Sequence, residues 1–130
     1  MTAHYNGYWN AKEAIKVSLK DFRYNYKDNY DSILPLYIIP NNKESKAFYP
    51  VMDTSIAKCA TVIKRHSMPE RKVGKAEGEE WGKWIDDNWL VLGQAQFYKR
   101  DYKKSEETFK YISLTYPEDK NMHWSRLWLA

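Results

Sequence analysis

The sequence predicts an all-α protein built from antiparallel helical hairpins, and three observations carry that prediction. Apolar residues return at steps of three and four along four separate stretches, the spacing of one helix face. Between these stretches lie polar runs with Pro, Gly or Asn, where helices stop. No two alternating apolar–polar segments are joined by a turn, so no strand pairing is expected.

The first helix is expected from Thr2 to about Tyr26, with Tyr8, Ala11, Ile15, Leu19, Phe22 and Tyr26 on one face. Lys12, Glu13, Lys16 and Lys20 fall on the other side. Gly7 costs a helix about 1 kcal/mol relative to Ala, which suggests a close approach to a neighbouring helix. Residues 27–46 read as a loop, marked by Pro35, Pro40 and Asn41-Asn42-Lys43. Inside it Ile33, Leu34, Leu36, Tyr37, Ile38 and Ile39 read as an extended segment packed across the helices, because a lone strand would have no partner. Helix resumes at Ala47 or Pro50, a Pro being tolerated in a first turn. Met52, Ile56, Cys59 (or Ala60) and Ile63 form its stripe, which runs out near His66.

A polar loop follows from Ser67 to Gly78, and then a third helix with Trp81, Ile85, Trp89, Leu92 and Ala95 on one side. Lys99-Arg100-Asp101 make a tight turn into a fourth helix carrying Tyr102, Ser105, Phe109, Ile112 and Tyr116, which Pro117 ends. Met122, Trp124, Leu127 and Trp128 open another apolar stripe. The expected organisation is one helical domain: a modified pair over residues 1–78 with its long loop at about 27–46, a hairpin over 86–119, and the start of a further helix over 121–130. Both ends read as cuts within a longer protein.

Composition narrows the function. The 130 residues suffice for one core, and a hydrophobic content of 43% excludes wholesale disorder. With 11 Tyr and 6 Trp against 4 Phe, the aromatics combine large contact area with polar handles, as suits helical cores and partner-facing surfaces alike. The net charge of +4 is mild. Its two basic clusters, Lys64-Arg65-His66 running on to Arg71, Lys72 and Lys75, and Lys99, Arg100, Lys103 and Lys104, fall in loops or helix ends, so no nucleic-acid partner is expected. Cys59 has no disulfide partner in the chain and reads as a small buried hydrophobe. One Cys and three scattered His residues (His4, His66, His123) make no zinc set. No run of about eighteen apolar residues spans a membrane.

The candidates for chemistry are weak. Asp86 and Asp87 are adjacent on a helix and point about 100° apart, which is poor geometry for an acid/base pair. Their placement near the positive end of the helix dipole is the structural reading. His66 has no nucleophile at a motif spacing. Gly74 and Gly78 lack the Gly-Lys-Ser/Thr ending of a phosphate loop. Neither catalytic residues nor a cofactor is expected.

The segment Trp89-Leu90-Val91-Leu92-Gly93-Gln94-Ala95-Gln96-Phe97, followed by Asp101-Tyr102, Ser105, Phe109 and Pro117, resembles the tetratricopeptide repeat (TPR), a helix–turn–helix unit of about 34 residues. The unit would run from Asp86 to Asp119. Trp89, Leu92, Gly93, Tyr102, Phe109 and Pro117 stand at its characteristic positions. A small Gly93 lets two backbones approach, and Tyr102 and Phe109 fill the groove between them. Ser105 and Ile112 depart from the family's Ala, and the bulkier Ile should alter packing with the next helix. The resemblance implies a superhelix of hairpins whose first helices form a binding groove, here with Asp87, Leu90, Gln94, Tyr98 and Phe97 facing a protein partner.

A closer resemblance rests on Thr2-Ala3-His4-Tyr5-Asn6-Gly7-Tyr8-Trp9-Asn10-Ala11, on Ile63-Lys64-Arg65-His66-Ser67, and on Trp84-Ile85-Asp86-Asp87 with Phe97-Tyr98-Lys99-Arg100-Asp101-Tyr102. These phrases resemble the N-terminal region of the large repeat-containing lipoproteins of Bacteroidetes (the SprE/PorW type) of gliding motility and type IX secretion. That resemblance implies a non-enzymatic scaffold in a periplasmic lipoprotein, anchored to the outer membrane by a lipid outside this segment and bound to other proteins of a secretion complex. The alternatives are a cytoplasmic location, a glycan- or peptidoglycan-binding helical module using exposed Trp and Tyr, and an RNA-associated helical repeat.

Overall fold

In a computed structural model, the described residues are 7–66, 85–116 and 120–130. They form five helices: α1 (Trp9–Asn25), α2 (Asn42–His66), α3 (Ile85–Tyr98), α4 (Tyr102–Thr115) and α5 (Lys120–Leu129). No strand occurs among the described residues, so the fold is all-α. The expected start of α1 at Thr2, the loop Ser67–Gly78, Trp81, Trp84 and the stop at Pro117 lie outside the described residues.

Consecutive helices pack on one another. In addition α1 meets α3 and α3 meets α5, whereas α2 and α4 make no contact among the described residues. The main core gathers Tyr8, Ala11 and Ile15 from α1, Phe48, Met52 and Cys59 from α2, and Val91, Leu92, Ala95 and Tyr98 from α3. The stripes read from helical spacing on these elements are thus the faces that come together. Gly7 sits where α1 meets the far end of α2. A methyl added there would run into Val62 Cγ2, so only a glycine fits without movement.

Helix α2 begins earlier than Ala47. Asn41 is its cap: the amides of Lys43 and Glu44 donate to Asn41 Oδ1 at 3.0 and 3.1 Å, and Asn41's own amide donates to Glu44 Oε2 at 2.9 Å. This reciprocal capping box satisfies donors that would otherwise be orphaned at the helix start. Pro50 therefore lies within α2 and not in its first turn. It is exposed, so its ring faces water and the helix forgoes one internal hydrogen bond.

The connection from α1 to α2, residues 26–41, is non-helical and touches the body at few points. Ile33, at 98%, and Leu36 are fully exposed, and Leu34, Tyr37 and Ile39 are about half exposed. The expectation that this segment packs across the helices thus holds only toward its end. There Tyr37 reaches Tyr98, Pro40 is buried, and Arg100 Nη1 donates to the Pro40 carbonyl at 3.2 Å.

The turn between α3 and α4 closes α3 with two bonds, from the Arg100 amide to Phe97 O at 2.9 Å and from the Asp101 amide to Gln96 O at 3.0 Å. This is a Schellman cap, with Arg100 at φ 66° in the left-handed position that glycine usually takes. The side chain explains the exception. Besides its bond to Pro40 in the α1–α2 connection (the strap, residues 26–41), it lies over the Tyr102 ring, 5.5 Å from the centroid.

Candidate functional site

The α3–α4 crossing organises the surface expected to bind a partner. A Cβ at Gly93 would lie 2.6 Å from Phe109 Cε1, so this crossing depends on the missing side chain. Ser105 donates to the Gly93 carbonyl at 2.9 Å, which gives the hydroxyl at this position a role of its own. Phe109 and Ile112 are fully buried, while Trp89 is partly buried against the Tyr111 ring at 4.7 Å. Tyr102 differs from expectation. It is 44% exposed and covers the edge of the Phe97 ring, instead of filling the groove with Phe109.

Trp128 of α5 joins the three C-terminal helices. Its ring stacks on Phe109 at 5.8 Å and meets the edges of Phe97 at 5.2 Å and Tyr98 at 5.9 Å. At the other end of α5, the Asn121 amide donates to Asp86 Oδ2 at 2.6 Å and to Asp87 Oδ1 at 3.2 Å. All three residues are buried. The adjacent carboxylates diverge along α3, yet one amide group between them reaches both. Their observed role is to tie α3 to α5.

The five residues expected to face a partner therefore lie in unequal surroundings. Leu90 and Gln94, one turn apart on α3, are half-buried and form its open strip. Phe97 is partly covered by Trp128 and Tyr102. Asp87, 9% exposed, is engaged by Asn121, and Tyr98, 3% exposed, lies beneath the strap. The Tyr98 hydroxyl meets Tyr37 Oη at 3.0 Å, and Arg23 Nη2 donates to Tyr37 Oη at 2.5 Å with its guanidinium over that ring. Burial, and then the bond to Tyr37, holds the Tyr98 phenol far above its ordinary range, so it stays protonated.

Cys59 is inert, and three members of the second basic cluster are engaged. Burial pushes the Cys59 thiol up to about 12, which removes it from thiolate chemistry near neutrality. In the second basic cluster, Lys99 pairs with Asp53 at 2.5 Å, Lys104 pairs with Asp101 at 3.0 Å, and Arg100 holds the strap. Among the described residues no group of three or more His, Cys, Asp or Glu side chains could hold a metal ion, and no helix is long and apolar enough to cross a membrane.

The Asn121 tie and the Trp128 clasp were not legible in the sequence, because they join positions 19 to 35 residues apart through α5. An Asn among the apolar residues of a predicted stripe was the one available hint. The chain matches no protein-family model, and no curated protein is significantly similar to it.

Proposed function

We propose that this chain is a non-catalytic, TPR-like scaffold that receives another protein on the open side of its odd-numbered helices. The observation that carries this reading is the pattern of helix contacts. In a curved stack of hairpins the inner helices touch one another while the outer ones stay apart, and here α1 touches α3 and α3 touches α5 while α2 and α4, among the described residues, do not touch. The close approach at Gly93 and the buried Phe109 agree with the packing such a repeat needs. On that inner side α3 offers Leu90 and Gln94, while Asp87 and Tyr98 serve the stack itself.

The phrases shared with the SprE/PorW-type lipoproteins support a place in a cell-envelope complex of type IX secretion or gliding, with other envelope proteins as partners. Glycan binding has less support. Trp9 and Trp124 are each about half exposed, but among the described residues α1 and α5 do not touch, so no helix contact brings the two rings together. The test is capture of proteins from envelope extract by the immobilised chain. Leu90→Ser combined with Gln94→Ala should deplete the captured proteins while the helical circular-dichroism melt stays close to that of the parent. Undiminished capture would remove the α3 strip as the binding surface.

A further inference from the structure

We infer that the inner face selects an acidic partner: a segment of another protein with carboxylates about one helical turn apart and an apolar residue that seats on Leu90. This rests on the scaffold reading above and names the chemistry of what the scaffold receives. Lys12, Lys16 and Lys20 follow one another at four-residue steps on α1 and are all exposed, a basic row about 12 Å long. Arg23 continues the row by three residues. Its guanidinium reaches Tyr37, whose hydroxyl meets Tyr98 of α3, so the end of the row is linked to α3, against which α1 packs. α3 in turn carries the half-buried Leu90–Gln94 strip, and at the head of the row the half-exposed Trp9 offers apolar area.

The three lysines remain available to a partner. Lys12 leans on the Tyr8 hydroxyl at 3.0 Å, Lys16 has a loose pair with Glu13 at 3.4 Å, and Lys20 extends from the exposed face. By contrast Lys99 and Lys104, at the α3–α4 turn, are already matched by carboxylates of the chain. Charge complementarity therefore points to anionic groups at the spacing of the row. Glu13 and Asp21 interrupt the exposed surface of α1 and would repel a continuous phosphate backbone, whereas separate carboxylates on a polypeptide can avoid them. The apolar strip on α3 also has no use in phosphate binding. Both features favour an acidic polypeptide over nucleic acid.

The experiment measures fluorescence anisotropy of three labelled probes against the whole chain. They are a helical peptide of about 20 residues with Glu and Leu one turn apart, the same peptide with Gln for Glu, and an oligothymidine of about 20 nucleotides. The acidic peptide should bind at least about tenfold more tightly than its Gln counterpart, with affinity falling as salt is raised. Reversal of the row (Lys12→Glu, Lys16→Glu and Lys20→Glu together) should cost it about tenfold or more with an unchanged melting curve, since all three side chains face water. Equal binding of the two peptides, full binding by the reversed row, tighter binding of the oligothymidine, or no binding of any probe would each overturn the inference. The neutral variant Leu90→Ser/Gln94→Ala separates the two readings. If it abolishes binding of both peptides while reversal of the row changes nothing, the inner face stands and the acidic class falls. If neither set of substitutions alters binding, both fall.

Discussion

Replacing Gly93 by Ala probes the contact on which the α3–α4 hairpin depends. A methyl group at this position would lie 2.6 Å from Cε1 and 2.8 Å from Cζ of Phe109, where ordinary contacts begin near 3.4 Å. The Phe109 ring has nowhere to go. It is 1% exposed and stacked on Trp128 with an interplanar angle of 16°. Overpacking of this kind costs about 1–3 kcal/mol, while the higher helix propensity of Ala returns about 1 kcal/mol. The expected net loss is up to about 2 kcal/mol, or a fall in Tm of up to roughly 8 °C for a chain of this size. Thermal and urea unfolding of Gly93→Ala, Phe109→Leu and the double variant form a cycle that isolates the contact. In the Phe109→Leu background the same Ala should be neutral or stabilising. If Gly93→Ala raises stability by about 1 kcal/mol in both backgrounds, only propensity is being measured and the crossing is not where the geometry puts it.

Three further expectations follow from the described contacts. Asn121→Ala withdraws the amide from two buried carboxylates and should cost about 2 kcal/mol in urea unfolding, with the loss read also as reduced protection of α5 in hydrogen exchange. Asn41→Ala removes the cap of α2 and should cost about 1 kcal/mol, whereas Lys43→Ala beside it should be nearly neutral. The Cys59 thiol has a folded pKa of about 12 against an ordinary value of 9.0, so its contribution is fully present below pH 9 and is lost as pH rises toward 12. Stability should fall across that window by up to about 1.4 kcal/mol per pH unit, and Cys59→Ala should flatten the slope. A native thiol that reacts with Ellman's reagent at the rate of the unfolded chain would contradict its burial.

The parts of the fold carried by local spacing were legible in the sequence. Trp89, Leu92, Gly93 and Phe109 gave the α3–α4 hairpin because a period of 3.6 residues and one small residue encode a helix crossing directly. Asn41-Asn42-Lys43 misled, since Asn signals both loops and caps. Glu44, three residues after Asn41, was the mark that distinguished the two. The candidate surface was less legible. Helical spacing puts Asp87 and Tyr98 on the same side of α3 as Leu90 and Gln94. What covers them, Asn121 and Tyr37, comes from 34 and 61 residues away. No local pattern records contacts of that range. Lys12, Lys16 and Lys20 read only as the side of α1 away from its apolar face, and the link of that row to α3 came with the path from Arg23 through Tyr37.

In the proposed arrangement a partner sits against the odd helices and leaves the even ones bare. Hydroxyl-radical footprinting of the chain with and without its captured partner measures this directly. Leu90 on α3 and Trp9 on α1 should lose reactivity on binding, while Leu114, 81% exposed on α4, should keep it. Protection of Leu114 with Leu90 unchanged would place the partner on the other side and contradict the account.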